Sequence, residues 1–229
     1  MSDLPPPRAA IVDYGTGNLY NVRRACQHVG LEAAITTSPE EVLSADAVIL
    51  PGVGSMPEAM LSLELNGLSD ALRTVAGRGT PLLGICLGMQ LLMEEGSEFT
   101  RHAGLGILSG SVVRFPDRGT DGAELKVPHI GWNAVGRPPG SATAWRDTPL
   151  EATPDGEYMY FVHSYHVVPA NTESVVGVSR YGGIEFCSVV SAGAVFGCQF
   201  HPERSGSQGL RIYREFSRLL AGRQHSPLR

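Results

Sequence analysis

Two short segments of this chain hold residues whose types and spacing could do covalent chemistry: Gly84-Ile-Cys86-Leu-Gly88 and Phe200-His201-Pro202-Glu203. The first reads as a nucleophile elbow. The apolar run Pro81-Leu-Leu-Gly-Ile suits a buried parallel strand, and Gln90-Leu-Leu-Met reads as the start of a helical pattern. A turn that sharp needs glycines around the nucleophile so that the backbone can approach closely, and it leaves Sγ exposed above the sheet edge. At a helix N-terminus the free N–H groups and the dipole favour thiolate, the nucleophilic form. The second segment supplies a base and its orienter. Val195 to Phe200 reads as a strand, so His201 and Glu203, two residues apart, share one face of an extended chain. Pro202 between them holds φ and favours extension at His201. A carboxylate bonded to one imidazole nitrogen leaves the other free to take a proton from Cys86. Alone, each segment is usually a turn. Together, each following a strand, they describe a Cys-His-Glu triad at the sheet edge where α/β active sites lie.

The elements that must position this triad can be read along the chain. Ala9–Asp13 reads as the first strand and Asn18–His28 as an amphipathic helix; Leu31–Ile35 and Ala47–Leu50 read as the next two strands. Ser55–Ala76 reads as helical, with a break near Asn66-Gly67. From Gly106 onward the texture changes to short β-like runs: Val112–Phe115, His129–Val135, Met159–Ser164, Val175–Ser179 and Ile184–Val190. Gly209–Leu220 reads as a closing helix. Alternating strands and helices followed by a strand-rich half predict a doubly wound α/β fold, flavodoxin-like, with a mixed, mainly parallel sheet flanked by helices. One domain is expected over residues 9–222, with flexible tails at 1–8 and 223–229.

Composition narrows the class. Hydrophobic residues make up 42% and charged residues 18% of the 229, so an intrinsically disordered chain is excluded and a large core can form. A net charge of −5 leaves no basic footprint for nucleic acid or an anionic membrane. Cys26, Cys86, Cys187 and Cys198 are too few and too scattered for a disulfide scaffold. The first residues lack an apolar signal core and no stretch reaches membrane-spanning length, so a soluble cytoplasmic enzyme is expected. His163 and His166 do not share a strand face, and no further ligand is spaced for zinc, so a structural role is expected for both. Gly15-Thr-Gly17-Asn18 lacks both a third glycine and a Walker lysine, and reads as a tight strand-to-helix turn.

The segments Gly84-Ile-Cys-Leu-Gly-Met-Gln-Leu-Leu92 and Gln199-Phe-His-Pro-Glu203 resemble the class I (triad) glutamine amidotransferases. Ile11-Val-Asp-Tyr-Gly-Thr-Gly-Asn-Leu19, Leu50-Pro-Gly-Val-Gly54, Val127-Pro-His-Ile-Gly-Trp-Asn133 and Tyr160-Phe-Val-His-Ser-Tyr165 are similar, within that class, to the glutaminase subunits of imidazole glycerol phosphate synthase. The likeness runs from about Ala9 to Leu220. Several members of that family have Met, Tyr and Lys where Ile130, His166 and Arg204 stand here, none of them in the triad.

The resemblance implies a mechanism. Cys86 would attack the glutamine side-chain amide, with the N–H groups of Leu87 and Val53 stabilising the oxyanion, and His201 would protonate the leaving ammonia. Gln90 would contact substrate through its side chain, and Gly52, Gly54, Ser164 and Tyr165 through backbone groups. No metal or organic cofactor is expected. Ammonia would pass to a cyclase partner, a (β/α)₈ barrel, to form imidazole glycerol phosphate and aminoimidazole carboxamide ribonucleotide in histidine biosynthesis. Pro51-Gly-Val-Gly54 would act as a switch whose peptide turns between two states, with a β-branched residue at 52 trapping one of them. The competing readings are a stand-alone cysteine hydrolase of γ-glutamyl compounds and a non-catalytic regulatory domain of the same fold.

Overall fold

The carboxyl ends of three adjacent parallel strands converge at one edge of the sheet, and the triad is assembled there. The computed structural model describes residues 7–224. Five parallel strands form the core: β1 (Arg8–Val12), β2 (Glu32–Thr36), β3 (Ala47–Gly52), β4 (Leu82–Cys86) and the late strand β13 (Val195–Cys198). They lie in the order β2-β1-β3-β4-β13, the doubly wound arrangement in which the chain reverses its direction of travel at β1. The sheet continues outward from β13 through β12 (Ile184–Ala192), β10 (Tyr165–Pro169), β7 (Leu108–Arg114), β5 (Met93–Gly96) and β6 (His102–Ala103). The neighbours β13–β12, β12–β10 and β10–β7 pair antiparallel. β11 (Val175–Tyr181) also pairs with β12, and a separate hairpin joins β8 (His129–Val135) to β9 (Glu157–His163).

Side chains alternate across the strands and divide the core between two faces. Ile11, Ile49, Leu83, Ile85 and Phe196 pack with Val22 and Cys26 of α1 (Leu19–His28) and with Ile212, Tyr213 and Phe216 of α6 (Gly206–Gln224). Val12, Val48, Leu50 and Leu82 face the other way. They meet Val42 of α2 (Pro39–Ser44), Leu63 of α3 (Met56–Leu65), Leu72 of α4 (Leu68–Gly77) and Met89 of α5 (Leu87–Leu91). The break expected near Asn66-Gly67 separates α3 from α4, with Gly67 at φ +67 between them.

Several elements depart from the sequence reading. The helical run expected from Gln90 stops after the five residues of α5. The carbonyls of Leu91 and Leu92 accept from Leu105, Ile107 and Leu108 instead of from a further helical turn, and the chain enters β5. Leu91, Leu92 and Met93 are buried on every side, and a short apolar run of that kind carries no period that separates helix from strand. α2, β6 and β10 form where no element was expected. β1 opens at Arg8 and α6 runs to Gln224, one and two residues beyond the 9–222 span. Of the expected tails, residues 1–6 and 225–229 lie outside the described residues.

Candidate active site

Cys86 ends β4 in a backbone conformation that few non-glycine residues adopt, φ +55 and ψ −109. This is a strained strand-to-helix turn, the geometry that a nucleophile elbow would need, held by its surroundings. The flanking glycines are required by packing. A Cβ on Gly88 would run into the carbonyl of Leu50, and one on Gly84 would meet Met89 N at 2.9 Å. α5 begins at Leu87, immediately after the thiol. The helix has only five residues and makes no cap hydrogen bond to the Cys86 side chain, so the support expected from a helix N-terminus and its dipole is small.

His201 arrives from the neighbouring strand. β13 pairs with β4 so that Cys198 lies opposite Ile85, and three residues later the chain turns at His201. Its N–H donates to Tyr160 O, and Ser205 Oγ donates to His201 O at 2.7 Å while accepting from Tyr160 N. The imidazole is therefore fixed through its own backbone. Nδ1 donates to Glu203 Oε1 at 2.9 Å, with both side chains almost completely buried. Nε2 is buried without a hydrogen bond of normal geometry, yet it is near enough to Cys86 to feel its charge. Burial pulls the ring toward neutrality, but the charge and hydrogen-bonding reach of Cys86, and then of Glu203, outweigh it and raise the pKa to about 10. The arrangement suits a charged imidazolium beside the Cys86 sulfur.

A cavity of about 310 Å³ opens over Cys86. Of the residues expected at the site, Val53, Gly54, Leu87, Gln90, Ser164 and Tyr165 line it with Cys86. Gly52 stands behind this lining: it is paired with Cys86 across β3 and β4, and a Cβ there would strike the Tyr14 hydroxyl and come within 3.1 Å of Leu87 Cβ. A β-branched side chain at 52 therefore lacks space in this arrangement of the loop. Gln90 Nε2 donates to Tyr165 O at 2.9 Å and to Gln199 Oε1 at 3.1 Å.

Several residues at the site were not anticipated. Glu98 lines the cavity, with Oε2 accepting from Met56 N at 2.8 Å; its loop carries no sequence signal. Val162 lines it too, and the Cys86 thiol reaches Val162 O at 3.8 Å. Gln199 was legible in principle, because it precedes His201 by two residues on an extended segment and so shares its face.

His163 and His166, expected not to share a face, nevertheless converge on Phe115, with ring centroids 5.4 and 4.6 Å from it. They reach it from β9 and β10, which belong to different sheets. His129 joins them. A carbonyl can only accept, so His163 Nδ1, 2.8 Å from Tyr165 O, carries the proton. His163 Nε2 then accepts from His129 Nδ1 at 3.0 Å, and His129 Nε2 accepts from Asn133 Nδ2 at 3.3 Å. Burial lowers the pKa of His129 to about 4 and that of His163 to about 3, so both rings are neutral near pH 7. Among the described residues no cluster of His, Cys, Asp and Glu is arranged to hold a metal ion.

The glutamine amidotransferase class-I family model matches residues 10–218. The imidazole glycerol phosphate synthase subunit HisH of Moorella thermoacetica is 45% identical over 92% of this chain and 94% of its own length. The same subunit of Geobacillus thermodenitrificans is 43% identical over 94% and 97%. In fold, the chain is similar to PurLQS from Thermotoga maritima (TM-score 0.69, 20% identity, covering 96% of this chain and 100% of that one). It is also similar to a glutamine amidotransferase of known crystal structure (TM-score 0.67, 21% identity, covering 93% and 98%). A cysteine elbow, a buried His-Glu pair and a likeness that spans nearly the whole chain agree: the protein belongs to the class I glutamine amidotransferases, in the branch of the imidazole glycerol phosphate synthase subunit HisH.

Proposed function

We propose that the chain is the glutaminase subunit of an imidazole glycerol phosphate synthase, releasing ammonia from glutamine for a cyclase partner in histidine biosynthesis. The observation that carries this reading is Cys86 at its positive-φ elbow, open to the cavity, with His201, held by Glu203, near enough to Cys86 for its pKa to be raised by it. The Cys86 thiolate attacks the side-chain carboxamide carbon of glutamine, and the oxyanion is held by the N–H groups of Leu87 and Val53. His201 gives its proton to the departing ammonia and leaves a γ-glutamyl thioester. It then takes a proton from water, whose attack releases glutamate and regenerates the thiolate. Glu203 orients the ring through Nδ1. In the cavity, Gln90 and the backbone of Gly54, Ser164 and Tyr165 bind the substrate, and Gly52 supports the loop from behind. The Glu98 carboxylate suits the α-ammonium of the amino acid.

The partner is proposed as a (β/α)₈ barrel seated on the β8–β9 hairpin. Trp132 lies opposite Tyr160 and Ile130 opposite Val162, so one face of the hairpin carries an apolar strip. The strip starts with Val162 in the cavity and runs out to Ile130, Trp132 and Tyr158, all more than half exposed. Arg204 stacks over Tyr160, 4.6 Å from its ring centroid, beside the triad. A large exposed apolar strip beginning at the catalytic cavity favours a docked partner over a stand-alone hydrolase. Four free, buried thiols suit the reducing cytoplasm, where we place the protein; among the described residues no helix is long and apolar enough to cross a membrane.

The test is labelling with the glutamine-like electrophile diazo-oxo-norleucine in the complex with the cyclase. A single adduct on Cys86, with glutamine hydrolysis lost in step, supports the reading. Hydrolysis that survives complete labelling, or label placed on another residue, contradicts it.

A further inference from the structure

Gln199 lies at the back of the site, fully buried, with its side-chain amide between the nucleophile and the substrate-facing Gln90. The two ends of an amide look alike in shape, but the hydrogen-bond chain here determines which end faces which group. Tyr165 O can only accept, so the Gln90 atom 2.9 Å from it is the NH₂. The same Gln90 NH₂ lies 3.1 Å from Gln199, so that end of Gln199 is its carbonyl oxygen. The remaining end of Gln199 is its NH₂, and it points at Cys86 Sγ across 3.7 Å. Tyr165 O cannot relax the order, because it also accepts from His163 Nδ1 at 2.8 Å and both of its lone pairs are engaged.

We infer that Gln199 is a further catalytic residue, whose NH₂ donates to the Cys86 thiolate while its carbonyl holds Gln90 with the Gln90 oxygen turned toward glutamine. The thiol and the thiolate then have different partners. As S–H, Cys86 can donate to Val162 O; as S⁻ it can only accept, and Gln199 is the buried donor aimed at it. A hydrogen bond to a charged group in a buried site is worth more than a neutral one. Gln199 therefore favours the ionised nucleophile from the side away from the oxyanion donors, and it does so before substrate or partner arrives. Its backbone is secured independently by the bond from Gln199 N to Ser188 O.

This inference rests on Cys86 being the nucleophile, and the test keeps the two claims apart. The probe is iodoacetamide, with the rate of Cys86 alkylation followed against pH by mass spectrometry in the full chain. The other cysteines stay silent because burial raises Cys26 and Cys187 to about 12 and Cys198 well above its ordinary value. If Cys86 in the unsubstituted chain reacts no faster than a free thiol at any pH, the nucleophile reading itself fails. Otherwise two variants decide the role of Gln199. Gln199→Glu keeps an oxygen for Gln90 but sets a carboxylate against the sulfur; Gln199→Met removes the donor at similar volume. The expected result is an alkylation midpoint raised by roughly one to two pH units in Gln199→Met, more in Gln199→Glu, and kcat/KM for glutamine lowered on the order of ten- to hundred-fold. A residue that merely packed Gln90 in place would leave the midpoint where it was. An unchanged midpoint in either variant, with the far-UV spectrum of the parent, overturns the inference.

Discussion

At His201, burial favours the neutral ring while Cys86 and Glu203 favour the imidazolium, and the two charges prevail, raising its pKa to about 10. The ring is then charged in the resting site and ready to protonate ammonia. Glutaminase kcat/KM should hold across the neutral and mildly alkaline range and fall as pH passes about 10. An alkaline limb near 6.5 in the pH profile would show an unpaired ring. The linkage has the same sign: a raised folded-state pKa contributes stability that is complete below the unfolded value of 6.5 and is lost as pH rises through about 10. His201→Ala should lower kcat by roughly 10²–10⁴-fold, the usual worth of a positioned acid–base group. Glu203→Gln should cost less, because an orienting carboxylate does not itself transfer the proton. Steady-state kinetics of both variants checks the order, and equal losses would mean that Glu203 does more than orient. The His201–Glu203 bond and the elbow at Cys86 were legible in the sequence because His201 and Glu203 are two apart on an extended chain and Cys86 sits between glycines. Glu98 was not, because it enters the cavity from a loop whose path is set by its bond to Met56 N.

The buried His129–His163 pair ties the β8–β9 hairpin to the carbonyl of Tyr165, which also holds Gln90. Both pKa values are lowered, mainly by burial. On acidification the unfolded chain therefore takes up protons near 6.5 that the folded chain refuses, and stability falls with pH between about 6.5 and 4. Each such histidine contributes about 1.4 kcal/mol per pH unit in that window. Denaturant melts from pH 7 to pH 4 should show this slope, and His129→Phe should flatten it by about one proton's worth. An unchanged slope would remove His129 from the account. At the neighbouring loop, Gly52→Val should cost about 1–3 kcal/mol through overpacking against Tyr14 and Leu87. Because Leu87 belongs to the elbow, glutaminase activity should fall with the melting temperature; a fully stable variant would mean that the loop has room this structure does not show. Element boundaries were legible where periodicity and caps agree, as at β8, and at α3 and α4 with Gly67 between them. α2 went unread although Ser38, Pro39 and two glutamates mark its first turn. β10 had no local signal, since only the turn at Ser164 separates it from β9 and tertiary pairing assigns the two to different sheets.

Across the whole molecule, the apolar strip that runs from Val162 to Trp132 joins the cavity to the surface where a cyclase is proposed to sit. Ammonia released without an acceptor is wasted, so a coupled glutaminase benefits from being nearly silent alone. If the Val53 N–H is turned away in the free chain, one oxyanion donor is missing, a loss on the order of 10²–10³ in rate. Binding of the cyclase and its nucleotide ligand should raise kcat by about that factor and change KM less, because the donor acts mainly in the transition state. Assays of the free chain, the binary complex and the liganded complex check this, and full activity in the free chain would contradict it. The partner was legible only through resemblance of the whole chain; composition and charge fixed the class, and no spacing of residues spelled out a docked barrel.

The division of labour between the two subunits is tested most directly by Cys86→Ser in the assembled complex, comparing synthesis of imidazole glycerol phosphate from glutamine with synthesis from an ammonium salt. The glutamine-dependent rate should vanish while the ammonium-dependent rate stays at that of the parent, as the proposed release of ammonia at Cys86 and its use by the cyclase require. Loss of both rates in a complex that still assembles, or retention of the glutamine-dependent rate, would contradict the account.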